Sequence, residues 1–235
     1  IYGGRDVELS YLNPLVPYHV AEQYLGDKDN NTMSFDVLAF LPGQIKIYGA
    51  VYLDDFTSSR NPFTYWKQTW AMMAGGYWAE PFRLQNTGLR IEYTRIEPYV
   101  YAHKWRLINY THFDAGLGSS LQPNSDQWHV TLRYQPSRRF KSEIGYRLIR
   151  HGEGDIQRFG YQDGFTDDDT GRQKKHFLMG VNEARNTISL KTEFEIWSHH
   201  FIYAHYDLAM IRNLSNQRGF NTMQNRFLIG YTLDY

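Results

Sequence analysis

Asn186-Thr-Ile-Ser-Leu-Lys-Thr-Glu-Phe-Glu-Ile-Trp197 alternates along its whole length. In an extended chain, successive side chains point to opposite faces. Ile188, Leu190, Thr192, Phe194 and Ile196 then share one side, and Thr187, Ser189, Lys191, Glu193 and Glu195 the other. A period of two predicts a strand with one apolar and one charged face, whereas a helix would scatter both sets around its axis.

The same split recurs upstream. Trp128, Val130, Leu132 and Tyr134 oppose His129, Thr131, Arg133 and Gln135, and Phe140, Ser142, Ile144, Tyr146 and Leu148 oppose Lys141, Glu143 and Arg147. Further strands are predicted near residues 4–12, 31–41, 44–54, 69–80, 87–102, 199–211 and 224–235, about ten in all. The connections sort by length. Leu41-Pro42-Gly43, Glu80 to Asn86, Pro136 to Arg139 and Ser198-His199 are short, and long stretches lie near 13–30, 55–68, 103–126, 152–182 and 212–223.

Short turns at one end and long loops at the other are the asymmetry of an outer-membrane barrel, and a soluble sandwich has no reason to sort its loops this way. The predicted fold is therefore all-β: a single domain over residues 1–235 forming a transmembrane, antiparallel, up-and-down β-barrel. A half-buried sheet in a soluble lectin-like sandwich is the alternative reading. Charges of both signs at successive inward positions favour the barrel, because a narrow lumen is closed by paired charges: Arg90 with Glu92, Glu143 with Arg147, and Lys191 with Glu193 and Glu195.

Composition agrees. Among 235 residues, 17% are aromatic, more amphipathic rings than a soluble core needs and the kind that forms girdles at membrane interfaces. No run approaches the roughly 18 to 20 apolar residues of a spanning helix, a test that strands escape because lipid-facing and lumen-facing residues alternate. No cysteine is present, which removes disulfides, thiol catalysis and cysteine-bound zinc. Lys plus Arg equals Asp plus Glu at 25 each and no basic stripe interleaves with aromatics, so nucleic acid is not an expected partner. Gly75-Gly76 and Gly116-Leu-Gly118 lack phosphate-loop spacing, and no cofactor is expected. The opening residues show no charged-then-apolar export segment, as expected of a processed or shortened chain.

In Phe227-Leu-Ile-Gly-Tyr-Thr-Leu-Asp-Tyr235, Gly230, Leu233 and Tyr235 resemble the terminal signal by which the insertion machinery recognises outer-membrane barrels; Leu228 departs from that pattern, which prefers a polar residue. A wider resemblance begins mid-chain. Glu92-Tyr-Thr-Arg-Ile-Glu-Pro-Tyr-Val-Tyr-Ala-His103 is followed by Asn109-Tyr-Thr-His112, Leu117-Gly-Ser-Ser-Leu121 and Pro123-Asn-Ser-Asp126. With Asp29-Asn30, Tyr52-Leu-Asp-Asp-Phe56 and Arg150-His151-Gly152 at a strand end, this series resembles the Wzi-like capsule assembly family over residues 29 to about 152. The resemblance implies a bacterial outer-membrane barrel acting as a surface lectin, holding capsular or related polysaccharide without cleaving it. Members of that family are longer, with about 18 strands, so the chain is expected to be either the C-terminal part of a larger barrel or a shortened relative.

The residues are compatible with glycan binding, since sugars are held by aromatic faces and by amide, carboxylate and guanidinium groups on exposed loops. Asn109, Tyr110, His112, Asn124 and Asp126 are the first candidates, with Arg150 and His151 at a neighbouring strand end; Asn, Asp, Gly and Ser also simply make turns. Asp167, Asp168 and Asp169 do not match the spaced calcium loop, and Arg172, Lys174 and Lys175 offset their charge, so no metal site is expected. A rim hydrolase would use carboxylates and a histidine, for which Asp54, Asp55, His112, His205 and Asp207 are the residues to inspect. A passive channel or a structural subunit of an envelope complex is the other alternative, although about ten strands enclose a lumen that side chains largely fill. Expected partners are a surface polysaccharide, lipopolysaccharide or another outer-leaflet lipid, the barrel-insertion machinery and other envelope proteins.

Overall fold

The computed structural model describes residues 31–56, 59–102, 109–112, 115–154, 156, 166–167 and 173–234. Nine long strands make one sheet: β1 (Met33–Leu41), β2 (Ile45–Asp55), β3 (Thr69–Ala79), β4 (Thr87–Ile96), β5 (Ser125–Tyr134), β6 (Phe140–His151), β7 (Glu183–Trp197), β8 (His200–Arg212) and β9 (Thr222–Leu233). Each pairs antiparallel with its sequence neighbours, so β1 to β9 follow one another across the sheet in an up-and-down order. Eight of the expected strands near 31–41 through 199–211, and the last near 224–235, are therefore present; the one near 4–12 lies outside the described residues, as do Asp29-Asn30, His103, Asp168, Asp169, Arg172 and Tyr235.

One boundary differs in an informative way. The strand expected to run to residue 102 stops at Ile96. Pro98 has no N–H for a ladder, and Tyr99 and Tyr101 take positive φ of 70° and 71°, which turns the chain out of the sheet. In the tight β1–β2 turn Gly43 takes φ 81°, which glycine adopts without steric cost, and Gln44 follows at φ 61°.

Register fixes what each face presents. Leu41, Ile45, Trp78, Leu89, Leu132, Ile144, Leu190, Tyr206 and Phe227 are direct cross-strand partners in one unbroken row through all nine strands. None of the nine is buried. The next row points to the other face and reads Phe40, Lys46, Tyr77, Arg90, Thr131, Gly145, Ser189, Asp207 and Arg226. One face of the sheet is thus apolar and exposed, and the opposite face, here called inner, is polar.

The inner face is laced with ion pairs. Arg90 Nη2 lies 2.6 Å from Glu92 Oε2, which also accepts the Tyr48 hydroxyl at 2.7 Å. Glu143 draws Arg133 at 2.7 Å from the strand before and Lys191 at 3.3 Å from the strand after, and Lys141 reaches Glu193 at 2.8 Å. Glu143 is paired across strands by these two cations, so Arg147, expected as its partner from spacing, is not the residue that satisfies it.

Tyrosines on this face lie flat on glycines of the adjoining strand. A Cβ at Gly75 would meet the Tyr48 ring at 2.7 Å, and side chains at Gly88 and Gly230 would collide with Tyr77 and Tyr203. Gly230, singled out in the terminal motif, sits directly across from Tyr203, and Leu233 ends β9 opposite His200.

The four short connections gather at one end of the sheet and the long ones at the other. Tight burial is concentrated at the long-loop end, where Ala71, Ile96, Val100, Tyr101, Leu121 and Ile156 form the core cluster. Ala71 and Ile96 are inner-face residues at strand ends, so these loops cap the inner face rather than standing clear of it. Among the described residues, no helix is long and apolar enough to cross a membrane, which says nothing of strands.

Candidate binding surface at the loop end

The cap is assembled around Tyr101. After Pro98, the positive-φ turns swing this residue back over β2, where its N–H donates to Asp54 Oδ2 at 2.7 Å. Its ring stacks on Tyr110 with centroids 5.5 Å apart and planes 20° from parallel, and Tyr52 packs on both rings at 5.3 and 6.0 Å. The Tyr101 hydroxyl accepts the Ser119 N–H at 3.3 Å. Burial pushes the Tyr101 phenol up from its ordinary range, so it stays protonated.

Beneath this cap lies a cavity of about 320 Å³ that includes Tyr52, Thr94, Tyr101, Ser119, Ser120 and Gln127 in its wall. Flat rings beside hydroxyl and amide groups suit a sugar: the rings take its C–H face and the polar groups its hydroxyls.

The predicted residues divide into three groups. Asn124, Asp126, Arg150 and His151 come together where β5 begins and β6 ends. Asn124 adopts φ 63°, donates to the carbonyls of Glu153 and Met179 at 3.1 and 3.4 Å, and accepts the Met179 N–H at 3.2 Å. Asp126 receives Arg150 Nε at 2.9 Å, Arg150 Nη2, and the Tyr93 hydroxyl at 3.1 Å. His151 Nε2 sits 3.0 Å from the Gly154 carbonyl oxygen. Asn109 and Tyr110 stand apart beside Tyr101, with Asn109 Nδ2 donating to the Ile156 carbonyl at 3.1 Å. His112 is exposed, on the small pairing of Thr111–His112 with Ala115–Gly116.

Exposure separates frame from surface. Asn109, Asn124 and Asp126 are 4%, 0% and 1% exposed, and their polar atoms hold loops in place. Tyr110, His112 and Arg150 keep open area; the Arg150 side chain is 40% exposed even while paired.

The sequence did not disclose the most deeply buried charges. Lys175 and Glu97 are both fully buried, with Lys175 Nζ 2.8 Å from Glu97 Oε2. Lys175 Nζ also donates to the Gln68 carbonyl, and its N–H donates to the Thr64 carbonyl at 2.9 Å. Arg95 Nε reaches the other Glu97 oxygen at 2.8 Å, and its guanidinium lies 3.8 Å from the Phe177 ring centroid. Desolvation holds the Lys175 ammonium below its usual range, offset in part by Glu97. Lys175 therefore ties three separate loop segments together. The Tyr52–Tyr101 contact was hidden too, although Tyr-Val-Tyr after Pro98 is the local sign of a chain turning its rings inward.

Three of the five residues marked for acid–base chemistry, His205, Asp207 and Asp54, have structural occupations. His205 Nε2 is 2.8 Å from Asp207 Oδ1, and Arg226 takes Oδ2 at 2.8 Å; Asp54 holds the Tyr101 amide. Among the described residues, no three His, Asp or Glu side chains gather as metal ligands. No protein-family model matches the chain, and no curated protein does.

Proposed function

We propose that this chain is a bacterial outer-membrane β-barrel, or the greater part of one, that binds surface polysaccharide at its loop end without cleaving it. The observation that carries the membrane half is the row from Leu41 to Phe227, nine apolar residues side by side across nine strands with none buried. An exposed apolar band of that extent is a liability in water and is what hydrocarbon requires. The polar, ion-paired inner face supports the same reading, because a barrel closed from this sheet would carry its charges in the lumen. Backbone groups at a sheet edge find no partner in lipid, so β1 and β9 each require a neighbouring strand, from closure or from additional strands.

The binding half is supported by the ring-lined cavity under Tyr101 and by the open faces of Tyr110, His112 and Arg150. Lipopolysaccharide against the apolar band and the insertion machinery acting on β9 are the further partners this reading entails. The test has two arms. Membrane fractionation should place the protein in the outer membrane, and extraction in detergent followed by a glycan array should show saccharide binding that falls at least tenfold in Tyr110→Ala. Recovery as a soluble monomer without detergent would overturn the first half; a silent array together with an ion-conducting pore in planar bilayers would overturn the second in favour of a channel.

A further inference from the structure

The inner face carries a second cavity, away from the cap and nearer the short-turn end, of about 500 Å³. A run of cross-strand partners, Lys46, Tyr77, Arg90 and Thr131, lies along its wall, with Tyr48 and Arg133 beside them. Small residues create the space: Gly88 admits the Tyr77 ring flat against the sheet, as Gly75 does for Tyr48. A neighbouring hollow of about 590 Å³ shares Tyr77, Gly88 and Arg133 and continues to Arg138 in the β5–β6 turn. Both volumes fall in the range of ordinary small-ligand sites.

The charge around this space is one-sided. No carboxylate lines either hollow. Those bordering them are already committed: Glu92 to Arg90 and Tyr48, Glu143 to both Arg133 and Lys191, and Glu80 accepts the Asn86 N–H at 3.3 Å. Lys46 and Arg138 have no carboxylate partner among the described residues; the Lys46 ammonium stands 5.7 Å from the centroid of the Tyr48 ring. Four cations, Lys46, Arg90, Arg133 and Arg138, thus line the two hollows, and the carboxylates bordering them, Glu80, Glu92 and Glu143, are bonded to neighbouring groups. An excess of positive charge lining a concave surface raises the local concentration of anions.

We propose that the two adjoining hollows together bind an acidic oligosaccharide, whose carboxylates meet Lys46 and Arg90 in the first and Arg138 in the second while its rings lie against Tyr48 and Tyr77. The anionic character rests on the charges alone; that a sugar carries it rests on the polysaccharide reading above. Guanidinium groups take carboxylates in paired hydrogen bonds, and the tyrosine faces supply the apolar contact that a sugar has and a bare ion lacks. The site lies at the opposite end of the sheet from the cap, so it would hold a segment that has entered the lumen.

The test is calorimetric titration of the detergent-extracted full chain with tri-galacturonate, maltotriose and inorganic phosphate. Lys46→Gln/Arg138→Gln serves as the site variant, and Arg218→Gln, an exposed loop position at the other end, as the charge control. The expected result is tri-galacturonate binding that weakens at least tenfold in the site variant, is unchanged in R218Q, and weakens further with added salt, with no binding of maltotriose. Equal binding of the acidic and neutral trisaccharides, an unaffected site variant, or an equal loss in R218Q overturns the proposal. Phosphate binding with the expected variant pattern but no response to tri-galacturonate overturns the saccharide assignment. A silent glycan array with tri-galacturonate still bound at this site would sink only the loop-end reading.

Discussion

At the scale of single residues, the strongest commitment is the buried pair under the cap. Removing one member of a buried ion pair strands the other, at a cost of about 3 to 5 kcal/mol. The two members are unequal here. Lys175→Met leaves Glu97 with Arg95 still at 2.8 Å, whereas Glu97→Gln leaves the ammonium of Lys175 facing the neutral carbonyl of Gln68 and a neutral amide. Thermal unfolding in detergent should therefore show a larger drop for E97Q than for K175M, and the reverse order would refute this account of the network. The sign of the pH effect follows from the same site. Lys175 is held below its unfolded value by desolvation, so between the two values the unfolded chain binds the extra proton. Stability from this group rises as pH climbs through that alkaline window. Subtracting a K175M profile from that of the unaltered protein should leave a positive slope there; a flat or negative difference would contradict the shift.

At the scale of elements, the two faces of β7 respond differently to the same substitution. Ile188 belongs to the apolar face and Ser189 to the inner one. If the apolar face meets lipid, Ile188→Arg near the middle of the band costs about 2 to 4 kcal/mol. On a solvated face it would cost a fraction of that. Refolding yields of I188R in lipid vesicles, set beside those in water, distinguish the two environments. The strands themselves were legible because a period of two needs no partner to be read: the split of Ile188, Leu190 and Phe194 from Lys191 and Glu193 is written in consecutive residues. Cross-strand matters were not. That Glu143 pairs with Arg133 and Lys191 depends on register, and register appears only when neighbouring strands are aligned. The cap was the least legible part, since the Glu97–Lys175 contact joins loops with no periodicity, and Asn109, Asn124 and Asp126 read as ligand groups when their side chains are in fact used internally.

At the scale of the whole molecule, the separation of ends matters most. Long connections fold onto the inner face at one end and hold a ring-lined cavity there, while the basic hollow lies toward the short turns. The Arg90–Glu92–Tyr48 cluster joins the two, and the ladder of Arg133, Glu143 and Lys191 borders the basic hollow. On the barrel reading, breaking the ladder should change passage more than stability: each pair is partly exposed and individually weak, but together they would obstruct the lumen of a closed barrel. For Glu143→Gln, which releases Arg133 and Lys191, planar-bilayer recordings should show increased conductance and anion preference over the unaltered protein, with the apparent melting temperature little moved. Unchanged currents would mean that the cap, and not the ladder, closes the path.

The tyrosines that lie on glycines carry a consequence for how such sequences change over generations. Tyr48 with Gly75, Tyr77 with Gly88 and Tyr203 with Gly230 each share one space between two strands, so neither member of a pair is free to vary alone. A side chain gained at position 230 forces the ring at 203 to stand up or shrink. Aligned relatives should therefore show these positions substituting jointly, aromatic with glycine or small with larger, and pairs found that way would mark neighbouring strands in relatives whose folds have not been determined.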